Sequence, residues 1–246
     1  MKYMGSKNRL SKELLPIILK NRKQNQWYVE PFVGGANIID KVGGLRLGAD
    51  NNEYLIALYK GLQDGLLFNA EITKELYSAA RTQYNTSLGN FSDFEIGYIG
   101  YMGSANGRFY EGGYSGKSST KVGTVRDYIA ESIKGINKQI PNIMGVRFEC
   151  CDYQGLNIPD NSIIYCDPPY ANTKAYATSK NFDSNLFWEW CRDKTKQGHK
   201  VFISEYQAPD DFICLWHKEV KSSISANSVA GGSVKTVEKL FTYIDA

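Results

Sequence analysis

The sequence is poor in metal-binding side chains. It has two histidines, His199 and His217, and five cysteines, no two of which form a C-x-x-C pair. A zinc site needs such ligands at short spacing, so no metal is expected. Cys150, Cys151, Cys166, Cys191 and Cys214 read instead as reduced, mostly buried thiols, three of them in apolar strand-like runs. Long hydrophobic runs are also missing, which argues against a membrane span, and the opening MKYMGSKNRL lacks the apolar stretch of a signal peptide. The expectation is a soluble, cytoplasmic protein. Charge of one sign is scarce as well: the formal net charge of +3 is too small to predict a polyanionic partner by itself.

What is present is an ordinary globular composition. The 246 residues, 42% of them hydrophobic, suffice for one large domain or for one domain with an insertion. The positive charge is uneven. Residues 1–26 hold Lys2, Lys7, Arg9, Lys12, Lys20, Arg22 and Lys23 against the single acid Glu13. Such a cluster can attract phosphate, or it can be a solvated basic helix face; both readings stand at this point.

Periodicity divides the chain into alternating elements. Residues 10–20 have helical spacing perturbed by Pro16. Strands are expected at 27–33 and 45–49, and a helix at 51–62. Further on, a helix is expected at 124–139, strands at 146–151, 162–166 and 200–204, and a helix at 186–197. The end reads as two strands, 215–222 and 240–243, flanking a polar, Gly-rich connection. This alternation argues for an α/β fold with a mostly parallel sheet covered on both faces. Residues 63–123 differ in texture. Glycines interleave there with Tyr98, Tyr101, Phe109, Tyr110 and Tyr114, which predicts loops around a hairpin, inserted between 1–62 and 124–246.

Chemistry concentrates where strands end. Asp167-Pro168-Pro169-Tyr170 directly follows the strand ending at Cys166, and ligands of open α/β sheets bind outside the carboxyl ends of strands. A carboxylate beside a backbone carbonyl, with prolines fixing the direction of that carbonyl, suits a planar amino group. Asp167 and the Pro168 carbonyl could accept its two N–H bonds and localise its lone pair, while Tyr170 stacks on an extruded base. A rigid Pro-Pro turn capped by an Asp is the plainer alternative. Val29-Glu30-Pro31-Phe32-Val33-Gly34-Gly35 is a second strand running into a Gly turn, where backbone can approach a ligand closely. It is not G-x-G-x-x-G and no P-loop follows, which weakens dinucleotide and triphosphate readings. Asp50, at the end of the next strand and followed by Asn51, is placed either to bind ribose hydroxyls or to cap the following helix. Asp152 and Tyr153 could bracket an adenine by hydrogen bond and stacking, or be an ordinary strand end.

Together these residues resemble the Dam-type, α-group DNA adenine-N6 methyltransferases, over nearly the whole chain. Lys2-Tyr3-Met4-Gly5-Ser6-Lys7 resembles the family opening K-W-x-G-G-K, with Tyr3 where Trp is usual. Glu30-Pro31-Phe32-Val33-Gly34-Gly35 resembles the E-P-F-x-G-x-G loop, although Gly35-Ala36 alters its second half. Ala49-Asp50-Asn51-Asn52 is similar to A-D-I-N, and Tyr165 to Tyr170 to the catalytic Y-x-D-P-P-Y. Phe202-Ile203-Ser204 and Glu238-Lys239-Leu240-Phe241 resemble later family segments.

The resemblance implies a seven-stranded, Rossmann-like methyltransferase sheet and S-adenosylmethionine as cofactor. It implies catalytic roles for Asp167, Pro168, Pro169 and Tyr170. The cofactor site it implies comprises Tyr3, Lys7, Glu30, Pro31, Phe32, Gly34, Gly35, Asp50, Asn51, Asp152, Tyr153 and Asp167. Double-stranded DNA is the implied partner, contacted by Asn106, Arg108 and Tyr110, a shortened form of N-G-x-x-R-Y, and by Lys117 and Lys121 of a target-recognition insertion. A cognate restriction endonuclease is a candidate partner, the protein would act as a monomer or weak dimer, and its setting would be the bacterial nucleoid or the host cytoplasm of a phage. RNA adenine, cytosine N4 or protein glutamine are the rival planar amino groups, and a catalytically inactive DNA-binding protein is the rival class.

Overall fold

The computed structural model describes residues 1–119, 123–169, 182–222 and 234–244. Seven strands form one sheet: β1 (Tyr28–Glu30), β2 (Arg46–Asp50), β5 (Val146–Cys150), β6 (Ile163–Cys166), β7 (Lys200–Glu205), β8 (Phe212–Ser222) and β9 (Val234–Tyr243), in the spatial order β5-β2-β1-β6-β7-β9-β8. Five run parallel from β5 to β7, and β9 runs antiparallel to both β7 and β8. From β1 the chain builds outward through β2 to β5, and from β6 the other way to β7. The order therefore reverses between β1 and β6, where a parallel sheet opens a crevice at its carboxyl edge.

Both faces of the sheet are covered. Alternate residues of each central strand serve opposite sides, so Tyr28, Ile163 and Tyr165 join one core cluster while Val29, Ile164 and Cys166 join the other. The first cluster packs under α1 (Ser11–Ile18), α2 (Glu53–Gln63) and α5 (Tyr128–Ile143). The second packs under α6 (Ser184–Lys196), through Phe187, Trp188 and Cys191. β1 is shorter than the apolar run 27–33 suggests. Pro31 has no N–H for the ladder, and pairing toward β2 resumes with Val33 N–H donating to the Ala49 carbonyl at 2.8 Å.

The stretch read as loops departs most from expectation. It holds two helices, α3 (Lys74–Thr86) and α4 (Asp93–Gly103), before a hairpin of β3 (Lys117–Ser119) and β4 (Val125–Asp127). α4 starts with a capping box between Ser92 and Glu95, and Gly97, Gly100 and Gly103 lie three residues apart along it. A Cβ at Gly97 would overlap the Tyr54 carbonyl oxygen and one at Gly100 the Phe109 ring, while one at Gly103 would come within 2.8 Å of Tyr77. The glycines are the surface on which α2 and two aromatic rings lie. Ile99 and Met102 of α4 are fully buried in the first core cluster. The helix expected from 124 starts later for a related reason. Residues 125–127 pair as β4, and Asp127 caps α5 by accepting the Ala130 N–H at 2.9 Å.

Candidate active site at the strand-order reversal

Asp167 leaves the carboxyl end of β6 beside β1. Its Oδ1 lies 3.0 Å from Lys7 Nζ, in the 3-10 turn Lys7–Arg9 that Ser6 caps. Lys7 is 7% exposed, and its ammonium also lies 3.7 Å from Glu238 Oε2 and donates to the Gly5 carbonyl at 3.3 Å. Burial alone would lower the pKa of this lysine. The charges of Asp167 and Glu238, with the Asp167 hydrogen bond, overcome that and raise it. Lys7, expected in the cofactor pocket, is thus the charge partner of the catalytic candidate. Pro168 is buried and Pro169 half-buried at the same strand tip. Tyr170 lies outside the described residues. Glu30, at the end of β1, is buried and accepts the Tyr28 hydroxyl at 2.8 Å. Burial holds its pKa well above the ordinary carboxylate range.

The Gly turn follows β1. Gly34 has φ +44°, but a Cβ there would stand 2.8 Å from Tyr3 Cε1, and one at Gly35 2.5 Å from Tyr3 Cβ. The glycines therefore seat the Tyr3 ring, which also stacks on Tyr101 at 6.0 Å between centroids. Ala36, where this loop departs from the family pattern, is also left-handed at φ +53°. Asp50 ties the turn to β2. One of its oxygens accepts Gly34 N–H at 3.1 Å and the other Asn52 N–H at 3.0 Å. Burial, partly offset by these two amides, raises its pKa to about 6. Asn52, not Asp50, caps α2, by accepting Leu55 N–H at 3.1 Å, and its amide donates to the Tyr101 hydroxyl. Asn51 is exposed.

Phe32 belongs to an aromatic cluster with Tyr153, Phe182 and Phe187, at 5.3, 5.9 and 5.7 Å. Tyr153 is 5% exposed, packed by these rings and by Trp190 at 5.3 Å, so it is a core ring as well as a strand-end residue. The buried Trp190 indole N–H has no partner among the described residues. Asp152 is exposed and accepts Gln154 N–H at 3.0 Å.

The DNA-contact candidates part company. Asn106 is exposed on a turn at φ +57°, and a Cβ on its neighbour Gly107 would overlap the Lys2 carbonyl, so this turn sits on the segment that carries Tyr3. Arg108 is half-buried, with its Nε lacking a partner among the described residues. Tyr110, expected at the DNA, is 2% exposed: its hydroxyl donates to the Ile96 carbonyl at 3.0 Å, and its ring packs on Tyr84 and Phe109. Lys117 is exposed on β3, 3.8 Å from Asp127 across the hairpin. Lys121 lies outside the described residues.

Sequence reasoning did not single out Glu238 or Trp190, which the structure places beside Lys7 and Tyr153. Glu238 arrives through an antiparallel strand, which no local spacing reveals; its only signal was the segment Glu238-Lys239-Leu240-Phe241. Trp190 is one aromatic on an amphipathic helix and had none. Among the described residues no three His, Cys, Asp or Glu side chains are disposed to hold a metal, and no helix is long and apolar enough to cross a membrane. Residues 3–96 and 111–225 match the family model described as D12 class N6 adenine-specific DNA methyltransferase. No curated protein sequence matches the chain.

Proposed function

The chain belongs to the D12 class of N6 adenine-specific DNA methyltransferases, and on that premise we propose that it moves the methyl group of S-adenosylmethionine onto adenine N6 in duplex DNA after extruding the base. The observation that carries this reading is the salt bridge between Asp167, at the carboxyl tip of β6, and the Lys7 ammonium at 3.0 Å. A carboxylate at the strand-order reversal is suited to accept an N–H from an amine and draw its lone pair out of conjugation. The Pro168 carbonyl takes the second N–H. Tyr170 supplies a stacking ring, which offsets part of the few kcal/mol that flipping costs.

The residues present fit the donor. The Trp190 N–H, without a partner among the described residues and next to Tyr153, itself packed on Phe32, suits a ring with hydrogen-bond acceptors such as adenine. The Asp50 carboxylate suits ribose hydroxyls. When bound, the donor supplies an electrophilic methyl on a sulfonium whose leaving group is a neutral thioether. The chain's own part is to hold the amine, keep Asp167 ionised, and read DNA through residues 63–123 with Arg108 and Lys117. Incubation with duplex DNA and methyl-labelled S-adenosylmethionine, followed by nucleoside analysis, should give N6-methyladenine, and D167N should give none. Label confined to cytosine, RNA or protein would overturn the reading, as would full turnover by D167N.

A further inference from the structure

We propose that Glu238 is a positioning residue for the methyl transfer, holding Lys7 as the ammonium that keeps Asp167 ionised and aimed. The inference rests on the reading that Asp167 receives the amine.

The sheet topology makes the contact. In a purely parallel sheet, the residues at the carboxyl edge come from strand ends and the loops after them. β9 runs the other way, so its first half lies at the catalytic edge, where Glu238 is three residues before Phe241, the partner of Ile203 on β7. Glu238 thereby reaches Lys7 at 3.7 Å. Also facing Lys7 among the described residues are Asp167 beyond β6, Tyr206 just after β7 and the Gly5 carbonyl of its own segment. Asp167 in turn feels Glu30 and Tyr165. Lys218, the register partner of Glu238 on β8, is engaged with Glu13.

A single buried Lys–Asp pair has a way to fail. With the ammonium 7% exposed, loss of solvation favours passing the proton from lysine to carboxylate and leaving both neutral. A protonated Asp167 would donate to the amine's surroundings instead of accepting its N–H, and the lone pair would stay delocalised. A second carboxylate within 3.7 Å of Lys7 adds an attraction that exists only while the lysine is charged, and so favours the proton on nitrogen. Glu238 therefore acts through Lys7 and need not touch substrate.

The test is the pH profile of kcat on duplex DNA for the wild type, E238Q, E238D and D167N. Glutamine keeps the size and removes the charge, which leaves burial to dominate at Lys7. E238Q should bring the alkaline limb of kcat down by a pH unit or more with KM for DNA unchanged, and E238D should restore most of the shift. A merely structural role would lower kcat evenly at every pH, and that result would overturn the proposal. Should E238Q not fold, a titration of 13C-labelled lysines in the wild-type protein reads the same claim: Lys7 should keep its proton at a pH where the exposed lysines have lost theirs, and a Lys7 that titrates first would refute it. D167N separates the two claims. If it turns over normally, the role of Asp167 fails; if it is inactive while E238Q keeps the wild-type limb, the role of Glu238 alone fails.

Discussion

Asp50 shows what the proposed cofactor role costs the fold that carries it. Its carboxyl, between the amides of Gly34 and Asn52, has a pKa raised to about 6 from the ordinary 3.8. A raised carboxyl binds its proton more tightly in the folded chain. The stability it contributes is therefore complete below pH 3.8 and is lost as pH rises through 6. Acceptance of ribose hydroxyls runs the opposite way and needs the ionised form. Affinity for S-adenosylmethionine should thus fall about fourfold between pH 7.5 and 5.5, and D50N should bind weakly with a flat profile; calorimetric titration at the two pH values checks this, and a wild-type affinity indifferent to pH would remove Asp50 from the cofactor site. Arg108 carries a different load, a half-buried guanidinium whose Nε has no partner among the described residues. R108A should cost ~1–3 kcal/mol of discrimination at one base pair if the side chain reads a guanine edge, with little loss of thermal stability. Methylation rates on single-base variants of the target decide it: a loss uniform across sequences, with a smaller salt slope, would make Arg108 a phosphate contact instead.

At the scale of elements, α4 is where glycine serves packing instead of a turn. The Tyr54 carbonyl that approaches Gly97 is backbone of α2 and cannot rotate away, so G97A must push two helices apart. Overpacking of this kind costs ~1–3 kcal/mol, more than the ~1 kcal/mol an alanine gains in helix propensity. Gly135 in α5 has nothing within 4 Å of its missing Cβ, and G135A should stabilise by up to ~1 kcal/mol. Urea denaturation of the two variants should move the midpoints in opposite directions, and a stabilised G97A would disprove the packing account. The same helix explains why this region was illegible in the sequence. Glycine density reads as loops because glycine disfavours helices in isolation, and nothing local shows that Tyr54, Phe109 and Tyr77 will fill the missing side chains. The alternating elements on either side were legible because their apolar periodicity is local. Asp167 and the Gly turn were legible because each is welded to a strand end. Glu238 and Trp190 were not, because tertiary topology alone brings them in.

For the whole molecule, the candidate site sits at the carboxyl edge of the sheet, and the opposite edge carries a separate pH-sensitive joint. His199, 6% exposed, comes just before β7, and its Nδ1 accepts the N–H of Ser162, just before β6, at 3.1 Å. An imidazole accepting a hydrogen bond at Nδ1 must be unprotonated there. Burial, with a smaller contribution from the Lys194 charge, lowers the pKa of His199 below 6.5. A lowered histidine contributes its stability above the unfolded value of 6.5 and loses it as pH falls toward the folded value, because the unfolded chain then binds the extra proton. The joint lies between β6, which leads to Asp167, and its neighbour β7, so its failure opens the sheet from the end remote from the candidate site. The contribution of His199 to wild-type stability should therefore decline as pH falls from 7 to 5. H199N, whose amide oxygen can stand in for Nδ1 without titrating, should start lower and decline less. Because Asp50 gains stability over part of the same window, the comparison is made as the difference between the two proteins at each pH, in which the Asp50 contribution cancels. A difference that stays constant from pH 7 to 5 would show that His199 does not hold the central strands through its neutral form.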